Sequence, residues 1–310
     1  MNYSIITSII RLRMRNLDSI IRKPAILLRS LYGYCIKWLY NLHILRIRNL
    51  HSGQTADVIV SLTSYGRRVS SCVVCYSIYS ILNQSIQPKR ILLWLSEDEW
   101  NDNNLPKAVR QLKSYGVEIH YCKDMSSYKK LFPTLQLCPD DDIVTIDDDI
   151  LYPRTLLSRL LKAHNQYPDA IIVPYLRKPV IQGNKFASYV DWKYDTPEQP
   201  SLYHFPLGGS GCWYPKHSLK SEMVDYSLAN RLCPTADDVW FWASGIAAGT
   251  MKYSIGKFYN LISFDAIYQF FHSGSALQHT NVKGRSGLTN DEQINSVLDY
   301  LYNHYAITLL

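Results

Sequence analysis

Two clusters of carboxylates border apolar runs in this chain. Ile143-Val144-Thr145-Ile146 leads into Asp147-Asp148-Asp149, and Asp237-Asp238 opens onto Val239-Trp240-Phe241-Trp242. The first run reads as a buried strand bearing three acids at its end. Strand side chains alternate, which puts Asp147 and Asp149 on one side and Asp148 on the other. Adjacent carboxylates repel and are costly to desolvate unless positive charge lies among them. Their hard oxygens suit Mg²⁺ or Mn²⁺. A solvated acidic turn is the plain alternative, because D-x-D is a short pattern. The second pair sits where a helix should begin, a place its dipole favours for acids. A carboxylate at the mouth of an aromatic, apolar pocket also suits a general base.

The elements that position these acids alternate. Strands are expected at 58–62, 90–95, 117–121, 143–146 and 170–174. Helices are expected at 68–83, around 104–114, through Lys129 to Leu137, and at 154–165. Such βα repetition implies an α/β fold with a mostly parallel sheet flanked by helices. Ligands of such sheets bind beyond the carboxyl ends of the strands. Thr63-Ser64-Tyr65, Ser96-Glu97-Asp98 and the aspartates should therefore converge on one crevice. After residue 175 the alternation stops. Residues 176–205, rich in Tyr and Trp, read as a substrate loop or small subdomain. A helix N-capped by Thr235 and a last amphipathic helix over 290–304, with Leu298 and Leu301 on its apolar side, complete the pattern.

The chain has 310 residues, 47% of them hydrophobic, and a net charge of +7. Residues 1–50 carry nine bases and one acid, Asp18, so the body after them is near neutral at −1. This basic arm has apolar residues at helical spacing, from Ile5, Ile6 and Ile9 to Trp38, Leu39 and Leu42. Its charges leave no stretch of about 18 uncharged residues for a spanning helix, nor the apolar region of a signal peptide. A helix lying on an anionic membrane surface is expected; a helix packed on the domain is the alternative. Nucleic acid is not an expected partner, because the basic residues do not continue into the body. Seven scattered cysteines, an odd number, argue against a disulfide framework and for a reducing compartment. Cys72 and Cys75 read as small hydrophobes on one helix face.

Gly208-Gly209-Ser210-Gly211 lacks both the dinucleotide fingerprint and the Gly-Lys-Ser/Thr ending of a phosphate loop. Glycine there lets backbone approach a ligand closely. Lys129, Lys130, Arg67 and Arg68 are the bases that could meet a phosphate at the crevice rim. A haloacid-dehalogenase-type phosphatase is disfavoured. Its acidic motif follows the first strand rather than the fourth, and Leu151 replaces the usual Thr or Val.

Over about residues 57–250 the chain resembles the GT-A-fold, nucleotide-sugar-dependent glycosyltransferases, of the family 2-like bacterial type. Four elements match in order. Val60-Ser61-Leu62-Thr63-Ser64-Tyr65 resembles the first strand and its nucleotide-site turn, and Asp147-Asp148-Asp149 the D-x-D motif. Gly208-Gly209-Ser210-Gly211 stands at the acceptor-side loop, and Asp237-Asp238-Val239-Trp240-Phe241 is similar to the Glu-Asp motif. The Glu of that motif is Asp237 here, and the usual Thr-Tyr-Asn turn is Thr-Ser-Tyr.

The resemblance implies an inverting, metal-dependent transfer from a nucleoside-diphosphate sugar, UDP in the first instance, to a glycan or lipid-linked acceptor. It places Asp149, Asp147 and a C-terminal histidine, His279 or else His272, on Mn²⁺ or Mg²⁺. Asp238, or Asp237, is the base. Thr63, Ser64, Tyr65, Arg67, Asp98, Lys130, Asp147 and Asp148 are expected on the donor. Gly208, Gly209, Ser210 and Trp213 are expected on the acceptor. Residues 57–175 would form the donor half and 176–310 the acceptor half of one catalytic domain. The expected setting is peripheral, on the cytoplasmic face of the plasma membrane, in lipopolysaccharide or capsule synthesis. A silent sugar-binding protein of the same fold and a metal-dependent phosphohydrolase are the rival readings.

Overall fold

The structure is a computed structural model, and it describes residues 30–183, 185–256, 261–265, 268 and 288–308. His272, His279 and the first 29 residues of the basic arm lie outside the described residues.

Helix α1, residues 30–41, precedes a core of β1 (Thr55–Thr63), α2 (Gly66–Ser70), α3 (Val73–Leu82), β2 (Gln87–Ser96), α4 (Lys107–Gln111), β3 (Val117–Cys122), α5 (Phe132–Leu137), β4 (Ile143–Thr145), β5 (Ile150–Leu151), α6 (Leu156–Gln166) and β6 (Ile171–Val173). Five short strands follow: β7 (Leu176–Lys178), β8 (Ile181–Gln182), β9 (Lys185–Phe186), β10 (Lys193–Asp195) and β11 (Phe205–Pro206). Among the described residues there follow β12 (Cys212–Tyr214), α7 (Tyr226–Leu232), α8 (Asp237–Ala247), β13 (Lys252–Ser254), β14 (Ile262–Ser263) and α9 (Asn290–Tyr305).

The central sheet has the order β13-β6-β12-β4-β1-β2-β3. Its pairings are parallel except for β12, which runs antiparallel between β4 and β6. Mixed α/β with a mainly parallel, helix-flanked sheet is the class expected from the sequence and from the GT-A resemblance. Strands from before and after residue 175 share this one sheet.

Alternation along the strands divides the core in two. Val58, Val60 and Leu62 of β1 pack with α3, α4 and α6, whereas Ile59 packs on the other face with Leu92, Trp94 and Cys138. That second face continues into a cluster formed with α8 and α9, including Ile143, Trp240 and Leu301. Both faces are covered, which is why β1 and β2 read as nearly unbroken apolar runs.

Several expected elements are shorter or broken. The helix expected over 68–83 is two, because Cys72 adopts a left-handed φ of 57° between α2 and α3. The helix expected to reach Leu137 begins as a 3₁₀ turn, Ser126–Lys130, before α5. Two hydroxyl contacts seat α5 beneath the sheet: Thr134 Oγ1 lies 2.7 Å from Ser61 Oγ and accepts from Trp94 Nε1 at 2.7 Å. That seat places Lys130, immediately upstream, under the ends of β1 and β4.

Helix α1 packs Tyr40 against Val73, Tyr76 and Phe264, and Lys37 Nζ donates to the Phe264 carbonyl at 2.6 Å. Its opposite side leaves Leu31, Tyr34 and Trp38 exposed, followed by Leu42. No helix among the described residues is long and apolar enough to cross a membrane.

Candidate active site

Strand β4 ends at Thr145, and the three aspartates follow in irregular backbone rather than in strand. The expected alternation is therefore absent: Asp148 and Asp149 turn to one cation and Asp147 to another. Arg68 Nη1 donates to Asp148 Oδ1 at 2.5 Å, and its Nη2 to Asp149 Oδ2 at 3.2 Å. Its Nε reaches Asp265 Oδ2 at 3.3 Å, and Arg67 also pairs with Asp265. Ser64 donates to Asp148 Oδ2 at 2.5 Å and Ser263 to Asp149 Oδ2 at 2.8 Å. Burial raises the Asp148 carboxyl to about 6, with Arg68 opposing the rise.

The second centre is Lys130. Its ammonium lies 3.0 Å from Asp237 Oδ2 and 3.3 Å from Asp147 Oδ1. Burial alone would lower its pKa, but the charges of Asp237, Asp147 and Asp238 hold it well above the ordinary lysine value. One buried cation thus joins the strand-end acids to the helix acids.

Asp237 and Asp238 form the first turn of α8, where acids complement the dipole. The expected Thr235 cap is absent: Ala236 occupies the N-cap without a side-chain bond. Gln293 of α9 takes over that task, its Oε1 accepting from the backbone N–H groups of Thr235 and Ala236 at 3.0 and 3.2 Å. Asp238 Oδ2 accepts from the Gly208 N–H at 3.2 Å, while its Oδ1 is buried without a hydrogen-bond partner. Burial, and then the neighbouring Asp237 charge, push the Asp238 carboxyl up to about 7, with Lys130 pulling the other way.

The glycine loop lies against both acids. A Cβ on Gly208 would collide with Asp238 Oδ1, and one on Gly209 with Asp147 Oδ2. Close approach, rather than a left-handed φ, is what requires glycine at these two positions. Tyr152 ties the loop to the strand end: its hydroxyl accepts from the Asp147 N–H at 2.8 Å and donates to the Gly209 carbonyl at 2.8 Å.

The remaining expected site residues are distributed unevenly. Ser64 joins the acid cluster, Thr63 bonds the Trp94 carbonyl at 3.0 Å, and Tyr65 is 47% exposed at the rim. Asp98 is exposed in the turn after β2, and it is Glu99 that meets the first turn, accepting from the Gly66 N–H at 3.0 Å. Ser210 turns back on the Leu207 carbonyl at 2.7 Å. Trp213 departs from its expected role on the acceptor. It is 1% exposed within β12, stacked on His164 and bonded to Asp142 at 2.8 Å, so it is a packing residue. Arg68 had only generic promise among four bases, whereas Tyr152, Asp265 and Gln293 were not singled out at all. Tyr152, five residues beyond Asp147, offered a usable proximity signal.

The donor set expected for a divalent ion does not assemble among the described residues. They contain no group of three or more His, Cys, Asp or Glu side chains placed to hold a metal ion. Asp147 and Asp149, the two expected ligands, are bound to different protein cations.

No protein-family model matches the chain, and no curated protein matches it either. Solved structures do resemble it. S. aureus TarS 1–349 in complex with UDP is 10% identical with a TM-score of 0.46, over 82% of this chain and 73% of that one. The mannosyltransferase PcManGT of Pyrobaculum calidifontis, in complex with GDP-Man and Mn²⁺, is 13% identical with a TM-score of 0.42, over 94% and 87%. The 2-C-methyl-D-erythritol 4-phosphate cytidylyltransferase of Thermus thermophilus is 12% identical with a TM-score of 0.40, over 70% and 98%. Nucleotide-sugar glycosyltransferases and nucleotidyltransferases thus both occur among the structural neighbours.

Proposed function

We propose that this chain is an inverting glycosyltransferase. It would move a sugar from a nucleoside diphosphate, UDP in the first instance, to a hydroxyl of a glycan or lipid-linked acceptor. The observation that carries the reading is the seating of Asp147 and Asp238 against successive glycines of one loop, with Lys130 between the two acid clusters.

The anomeric carbon–phosphate oxygen bond breaks, and its electron pair stays on the nucleoside diphosphate. The acceptor oxygen attacks that carbon from the opposite side and passes its proton to Asp238. A carboxyl with a pKa of about 7 and an unbonded Oδ1 is suited to take that proton near neutral pH. Asp237, paired with Lys130, lies beside Asp238, and its charge makes Asp238 more basic. On the donor side, exposed Tyr65 is available to stack on the nucleobase. Asp147 faces the sugar or ribose from below Gly209. Among the described residues the carboxylates do not form a metal-binding group: Lys130 engages Asp147 and Arg68 engages Asp149.

The exposed Leu31, Tyr34 and Trp38 of α1, together with the basic composition of residues 1–50, support a peripheral site on an anionic membrane surface. Lipopolysaccharide or capsule synthesis is the process proposed.

The test is a thermal-shift screen with UDP- and GDP-sugars, followed by nucleoside diphosphate release from any ligand that stabilises the chain. Stabilisation with release supports sugar transfer. Pyrophosphate release from a nucleoside triphosphate and a sugar phosphate instead would contradict it.

A further inference from the structure

We propose that Arg68 is the resident counter-cation of the acidic strand end, filling with its guanidinium the place between Asp148 and Asp149 that would otherwise take up a divalent cation. All three of its nitrogens are engaged, Nη1 with Asp148, Nη2 with Asp149 and Nε with Asp265. Arginine suits this position because its planar fork serves several carboxylates at once and stays charged at any working pH. Burial opposes the charge, but Asp148 and then Asp149 more than compensate and hold Arg68 more firmly protonated than ordinary arginine.

The surroundings keep Arg68 in place. It lies on α2, two residues after the turn whose Gly66 N–H is held by Glu99. Asp265 is fixed by Arg67 on its other oxygen and by a backbone bond to Ser263 Oγ at 3.1 Å. Ser64 and Ser263 each donate to the same carboxylates, so their lone pairs are used in neutral and charged bonds together. A divalent ion entering between Asp148 and Asp149 must first displace a partly buried guanidinium, which would be left without equivalent partners. Asp148 and Asp149 are thus neutralised by Arg68 of α2 rather than by an ion. The inference stands independently of sugar transfer, because its readout is Mn²⁺ binding.

The experiment is Mn²⁺ titration of the full chain, followed by electron paramagnetic resonance of free Mn²⁺ and by thermal unfolding. The expected results are weak binding by the wild type that Asp149→Asn leaves unchanged, and binding about tenfold tighter or more in Arg68→Met. Arg68→Met should also unfold at lower temperature and recover with Mn²⁺, while Asp149→Asn in that background abolishes the recovery. Wild-type Mn²⁺ binding as tight as that of Arg68→Met, and lost in Asp149→Asn, would overturn the proposal. If Arg68→Met does not fold, the Asp149→Asn comparison in the wild-type background decides: loss of Mn²⁺ binding overturns it, and unchanged binding supports it.

Discussion

Asp147 and Asp237 share a single ammonium: Lys130 Nζ stands 3.3 Å from the first and 3.0 Å from the second. An acid at the end of a strand and an acid in the first turn of a helix are thereby fixed to one point. Asp238, next in the chain, is the remaining carboxylate at that point and the one whose proton affinity is raised into the neutral range.

Removing Lys130 should therefore do more than loosen the fold. Lys130→Met leaves Asp147 and Asp237 facing each other without a counter-charge, a loss of about 3 kcal/mol or more. It also removes the influence that lowers the Asp238 pKa. Chemical denaturation and the pH profile of nucleotide release check both effects, with the profile's rising limb expected to move to higher pH.

Asp238 itself should weaken the fold as pH rises. Its folded pKa of about 7 lies above the ordinary 3.8, so the unfolded chain loses this proton first. The stabilising contribution of the protonated form is complete below about 4 and is lost through about 7. The full difference corresponds to roughly 4 kcal/mol, and solvent access to this partly buried carboxyl reduces it to about 2 kcal/mol. Asp238→Asn should accordingly be more stable than the wild type by about 2 kcal/mol at pH 8 and equal to it near pH 4. Unfolding midpoints at the two pH values check this.

A methyl group at Gly208 or Gly209 would force the facing carboxylate, Asp238 or Asp147, to shift. Gly209→Ala should push Asp147 aside, costing about 1–3 kcal/mol and weakening donor-sugar binding. Gly208→Ala should act on Asp238 and reduce turnover more than donor binding. Calorimetric titration and steady-state rates of the two variants separate these effects.

Tyr152→Phe removes the two bonds that tie Asp147 to Gly209. A loss of about 1–2 kcal/mol is expected from buried hydrogen bonds of this kind, together with weaker donor binding. Thermal unfolding and donor titration of the variant provide the check.

On the arm, Trp38→Ser with Leu42→Ser should reduce co-sedimentation with vesicles containing anionic lipid. Trp38 is 61% exposed, so the fold should be unaffected, which circular dichroism checks. Unchanged sedimentation would contradict the membrane reading of α1.

Much of the frame was legible because periodicity reports burial. The runs at 90–95 and 117–121 fall within β2 and β3, and the aspartates do lie at the carboxyl end of β4. The antiparallel β12 was not legible, because a three-residue strand after an irregular stretch carries no period. The partners of the acids were the hardest to foresee. The sequence identifies a need for positive charge, but whether a metal, Arg68 or Lys130 meets it depends on contacts between distant segments. Asp265, which completes the Arg68 site, lies beyond the alternating pattern altogether. Trp213 misled for a related reason: an aromatic beside a glycine loop suits a sugar platform, yet β12 inserts it into the sheet core.

The central claim is that Asp238 takes the acceptor's proton while Asp147 serves the donor, and donor binding measured beside turnover tests it most directly. With a UDP-sugar that stabilises the chain, Asp238→Asn should retain donor binding by calorimetry and lose nucleotide release across pH 6–9. The wild-type rate should rise with pH through about 7. Release by Asp238→Asn at the wild-type rate, with the same pH dependence, would contradict the account.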